Sequence, residues 1–202
     1  MEYFAADPRI LSMISRHYKT GESLPMETCR KFCAGKKVFS GVDIQTQLFY
    51  SLIDQRFHTK HPLRTSTTDI LRETHLANHN LPYPEGTAWQ HRFSHLVGYG
   101  ARYYSYLMAR SVASSIWQKY FQVRKLLVYF VFRHPMSLKL QLDPMDADSG
   151  EKYRRECLAH GGGKPSHKLV SDLLGFDIRP EDLSDALIKE IDGKNEDLKE
   201  FL

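Results

Sequence analysis

The stretch GYGARYYSYLMARS, Gly98 to Ser111, sets Tyr99, Tyr103, Tyr104 and Tyr106 beside Gly98 and Gly100, one turn after His95. If the chain is helical from Ala101 onward, Tyr99, Tyr103 and Tyr106 fall at i, i+4 and i+7 on one face, and Tyr104 points elsewhere. Two readings follow. An aromatic stripe at helical spacing is more often core than site. Phenols on one face can also aim several O–H donors at one point, where they would stabilise the negative charge of a tetrahedral intermediate while His95 holds the neighbouring substrate backbone. In that second picture Gly98 and Gly100 loosen the join, so that a mobile loop feeds a rigid helix.

Outward from this stretch the sequence reads as helix after helix. Ile10, Leu11 and Ile14 recur at helical spacing within MEYFAADPRILSMISRHYKTGESLP, a pattern that opens with no cap in front of it. In IQTQLFYSLIDQRF, Ile44, Leu48, Leu52 and Ile53 share a face with Phe49 beside them. STTDILRETHL has a Ser/Thr cluster ahead of an acidic first turn, and NLPYPEG is a breaker that separates it from TAWQHRFSHLV. SGEKYRRECLAHGGGKP starts with a Ser cap and Glu151 in its first turn and stops at three glycines and a proline. SHKLVSDLLGF and RPEDLSDALIKEID follow in the same manner. Strand signals are scarce, and no repeat or long flexible linker marks a domain boundary.

Bulk composition narrows the function classes. With 202 residues, 42% hydrophobic and 26% charged, the chain has the makeup of a globular protein with a sizeable core. A net charge of +4, spread rather than clustered, argues against a nucleic-acid partner built on GARYYSY. The apolar run LLVYFVF is far shorter than the roughly 20 residues that span a bilayer, so no membrane partner is expected. Cys29, Cys33 and Cys157 are an odd number without a secretory leader and read as reduced thiols of an intracellular compartment. Cys29 with Cys33, His58 with His61, His75 with His79, and His91 with His95 have ligand-like spacing. Neither histidine pair at i, i+4 carries the Glu that a hydrolytic zinc site needs after its first His, and the plainer reading of each pair is preferred.

RFSHLVGYGARYYSYLMARSVASSIW together with YRRECLAHGGG resembles the C-terminal part of the thimet oligopeptidase family of zinc metallopeptidases. MEYFAADPRILSMISRHYKTGESLP and HPLRTSTTDILRETH resemble the same family upstream, so the likeness covers nearly the entire chain. It implies an all-α fold, the C-terminal helical portion of a two-lobed, channel-containing metalloendopeptidase. The branch it resembles removes short N-terminal peptides from precursors imported into the mitochondrial matrix, which makes a peptide or precursor protein the partner. Zinc in the complete family enzyme is held by HExxH and by a Glu of the next helix; this sequence contains no HExxH, so no metal ligand is assigned to it. The family pattern carries over residue by residue to Tyr103 and Tyr106 as stabilisers of the tetrahedral intermediate. His95 and Tyr99, with Gly98 and Gly100 of the same loop, become substrate contacts. Glu2 matches a carboxylate standing behind the metal ligands, with Met1 just after the third of them.

The layout expected is therefore one piece of a catalytic domain, residues 1–202, starting just after the zinc-ligand helix, with the remainder of that domain missing and one departure inside it. Val123 to Gln141, within the basic apolar VRKLLVYFVFRHPMSLKLQL, has no place in the family layout. Its removal joins WQKYF and Gln122 to LDPMDADSGEKYRR, which restores that layout. Valine codons begin GT and one glutamine codon ends AG, the borders of an unspliced in-frame intron or a gene-model error. The alternative to a peptidase segment is a noncatalytic helical product that binds peptides or pairs with another chain.

Overall fold

The computed structural model describes residues 2–36, 38–121 and 144–199. Met1 and the insertion expected at 123–141 lie outside the described residues. The fold is all-α: every regular element among the described residues is a helix. The chain divides into two compact units, one made of Met1–Val38 and Ser111–Leu202, the other of Phe39–Arg110.

The first unit opens on α1, Glu2–Ala5, and α2, Pro8–Ile14. The single helical pattern read from the sequence is interrupted at Asp7. Its carboxylate accepts the Arg9 N–H at 2.9 Å and Pro8 occupies the first helical position. Proline suits that place because its missing N–H would be unbonded there anyway. Helix α3, Met26–Gly35, turns Cys29, Cys33 and Ala34 inward, and neither thiol is part of a disulfide. Described further along the chain are α7, Ser105–Tyr120, α8, Ala147–Glu156, α9, Ser166–Leu174, and α10, Pro180–Lys199. The core joins Ile116, Tyr120 and Phe121 to Leu173 and Leu174, with Phe4 set edge-on to Trp117 at 5.0 Å. Each such side chain, fully buried, contributes about 1.5–3 kcal/mol.

Two helix ends in this unit show local chemistry at work. The α9 carbonyls of Leu173 and Leu174 accept from the Tyr120 hydroxyl and the Lys119 ammonium, and Gly175 leaves the helix at φ 76°. The α8 cap is Asp146, whose Oδ2 accepts the Ser149 N–H at 2.8 Å, and not the Ser that the sequence suggested. A carboxylate there both caps and meets the positive end of the helix dipole, so the helix starts earlier. Inside α8, Glu151 bonds Arg154 and Arg155, which hold its carboxyl down at about 2.

The second unit is built on α4, Ser40–Phe57, and α5, Thr67–Asn78. Phe49, Ile53 and Phe57 of α4 form a stripe at i, i+4 and i+8 that buries Ile70 and Leu71 of α5. This stripe differs from the face read in the sequence, since Leu48 is exposed while Ser51 and Asp54 are buried. Two polar residues hidden among apolar ones displaced the pattern. The Ser66 cap is as read, its Oγ accepting the Asp69 N–H at 3.1 Å. After the NLPYPEG break the chain makes a 3₁₀ turn, Trp89–Arg92, and a single α-turn, α6, His95–Gly98, instead of one longer helix.

Candidate functional site

The tyrosine stretch is not one helix. Ala101 adopts φ 61°, a left-handed conformation that non-glycine residues rarely hold, and α7 begins only at Ser105. Tyr99 therefore lies on the turn after α6, Tyr103 on the loop, and Tyr106 in the first turn of α7. The loop amides look elsewhere for acceptors. Ala101 N–H donates to Asp54 Oδ1 and Tyr103 N–H to Asp54 Oδ2, each at 2.9 Å. Gln55 Nε2 donates to the Ala101 carbonyl at 3.1 Å.

The rings nevertheless gather. Tyr106 lies 4.9 Å from Tyr103, 5.8 Å from Tyr99 and 5.9 Å from His95, centroid to centroid, and His95 meets Tyr103 edge-on at 5.3 Å. Tyr50 and Phe93 complete the aromatic floor under Tyr103 at 5.7 and 5.2 Å. Such contacts are worth about 0.5–1.5 kcal/mol each beyond the area they bury. The face expected from i, i+4, i+7 spacing thus forms through a loop crossing, with His95 included.

The hydroxyls are not equivalent. Tyr103 is 7% exposed, and its O–H donates to Gln47 Oε1 at 2.9 Å. Burial, with smaller effects from Tyr50, Tyr106 and Asp43, raises its pKa above the usual phenol range, so it stays a proton donor. The Tyr99 hydroxyl shares a hydrogen bond with Ser105 Oγ at 3.1 Å. Tyr106 is 47% exposed, and its hydroxyl bonds to no described residue. Tyr104, which the spacing turned away from that face, is 46% exposed; Tyr103 is the packed member of the doublet because the loop turns its side chain onto Tyr50 and Phe93.

Gly100 has a steric reason. A Cβ there would stand 2.3 Å from His58 Nε2, whereas one at Gly98 would meet open space. The His58 ring is fixed in turn by its Nδ1, 3.1 Å from Asp54 Oδ1 and 2.8 Å from the Asp54 carbonyl. Asp54 and Gln47 were not singled out from the sequence, and His58 only as half of a ligand-like pair with His61. The available signal was a carboxylate on the apolar side of α4, which needs a partner if buried.

The remaining candidates have settings of their own. Glu2 is exposed in α1, within the first unit. His75 and His79 stack at 4.7 Å against Phe49, His91 is exposed, and Cys29 and Cys33 are core thiols. Among the described residues no three of His, Cys, Asp and Glu converge to hold a metal ion. The residues described do not fit a zinc site.

A family model for peptidase family M3 matches residues 1–188. The chain belongs to peptidase family M3. This is a metallopeptidase family, and its substrates are peptides. The M3 chain is 47% identical over 192 residues to the mitochondrial intermediate peptidase of Homo sapiens, a match that takes in 95% of this chain and 24% of that protein. It is 34% identical over 178 residues to the protein of the same name from Arabidopsis thaliana, covering 88% of this chain and 22% of that one. A Mycosarcoma maydis mitochondrial intermediate peptidase is 34% identical over 184 residues, with 88% and 19% covered. The M3 chain thus spans about a quarter or less of the length of these relatives.

Proposed function

We propose that residues 95–106 form one wall of the active site of a zinc metalloendopeptidase similar to the mitochondrial intermediate peptidases, acting on peptides or imported precursors in the mitochondrial matrix. In this proposal Tyr106 donates a hydrogen bond to the carbonyl oxygen of the scissile peptide as that oxygen gains negative charge. The observation that carries it is a free, half-exposed phenol whose ring is braced by His95, Tyr99 and Tyr103. A donor held in place before charge develops strengthens its bond in the transition state and spends nothing on reorganisation. Tyr103 is the second donor; its hydroxyl would reach a bound carbonyl by exchanging Gln47 for it. His95 and Tyr99 meet the substrate backbone beside them. Zinc belongs to the complete family enzyme, and these four side chains contribute hydrogen bonding and positioning only.

The test is Tyr106→Phe in a full-length M3 peptidase carrying this segment. The turnover number should fall by roughly ten- to a thousandfold with KM little changed, as for a lost transition-state donor. An unchanged kcat would return Tyr106 to a packing role.

A further inference from the structure

We propose that Asp54 is a positioning residue for the tyrosine wall, its buried carboxylate fixing the loop from which Tyr103 and Tyr106 are presented. The inference rests on the role given to Tyr106 above. Asp54 is 0% exposed, and both its oxygens are committed to the loop, Oδ1 to Ala101 N–H and Oδ2 to Tyr103 N–H at 2.9 Å each. Hydrogen bonds to a carboxylate are roughly twice as strong as neutral ones, and two diverging oxygens fix direction as well as distance. Ala101 at φ 61° is the mark of that hold, because a strained residue persists only where its surroundings over-determine it.

The clamp has a second jaw. His58, the residue that caps the end of α4 one turn after Asp54, bonds the same residue through Nδ1 and lays its ring where a Gly100 side chain would be. Gln55 completes the grip on the Ala101 carbonyl. The loop is thus held at Gly100, Ala101 and Tyr103 by Asp54 and Gln55 of α4 and by His58 at its C-terminal cap. Tyr103 and Tyr106 are in ring contact, so a shift of the Tyr103 backbone is passed to the exposed phenol. A misplacement of about 1 Å suffices to cost two orders of magnitude in rate.

Asp54→Asn tests this, since the amide keeps the shape but offers only one acceptor oxygen, leaving one loop N–H without a partner. In this chain, hydrogen exchange at Ala101 and Tyr103 should quicken about tenfold or more while Ile70 and Leu71 of α5 keep their rates. In a full-length M3 peptidase carrying the segment, kcat should fall about ten- to a hundredfold with KM within about twofold. Unchanged exchange at both loop amides, an equal rise throughout α5, or an unchanged kcat would overturn the proposal. Gly100→Ala gives a second route that leaves the carboxylate in place: its Cβ would displace the His58 ring and should quicken loop exchange, whereas unchanged exchange at both loop amides would count against the clamp. If Tyr106→Phe leaves kcat unchanged while Asp54→Asn quickens only the loop, the role of Tyr106 fails and the anchoring stands. The opposite pattern defeats the anchoring alone.

Discussion

Two adjacent tyrosines divide the work at the level of single residues. Tyr103 gives its hydroxyl to Gln47 in a buried setting, and Tyr104 faces outward. Tyr103→Phe leaves the Gln47 oxygen without its donor and should lower stability by about 1 kcal/mol, while Tyr104→Phe should stay within about 0.5 kcal/mol. Urea unfolding midpoints for the two variants measure the difference, and equal midpoints would contradict the assignment. The sequence singled out His95, Tyr99, Tyr103 and Tyr106, whose rings gather here, yet it did not show that Tyr103 and not Tyr104 is the buried one. Their order depends on Asp54, whose contact with Ala101 spans 47 positions along the chain and leaves no local trace.

Single helices tell a similar story of strong local signals and unseen distant ones. Ser66 could be read as a cap because its partner, Asp69, stands three residues on; the end of the helical pattern at Ala101 could not, because its cause lies on α4. At the C-terminal end of α5, His75 and the capping residue His79 stack at 4.7 Å with Phe49 edge-on to both and Tyr83 beside His75. Burial first, and the His75 charge second, lower the His79 pKa below 6.5. The folded state therefore favours neutral His79, and its contribution is complete above pH 6.5 and lost as pH falls through the lower folded value. Acidification below pH 6.5 should weaken the second unit, and His79→Phe should flatten that acid limb. Urea midpoints at stepped pH give the slopes; identical slopes for parent and variant would remove His79 as the cause.

For the whole molecule, helix class and family membership were legible from long motifs such as GYGARYYSYLM, whereas division into two compact units was not, since no linker composition separates them. Val123 to Gln141 stays a proposal: it is an unspliced in-frame intron or a gene-model error, so mature transcripts should join Gln122 directly to Leu142. Reads that retain the segment in mature message would refute this. The buried carboxylate at residue 54 also bears on timing. A lone carboxylate is costly to take out of water, so α4 can seal that face only once residues 101–103 arrive to meet it. Core closure and loop docking are then a single event in the life of a newly made chain. A molecule caught before it would carry no loose version of the tyrosine cluster: it would have helices and no cluster at all.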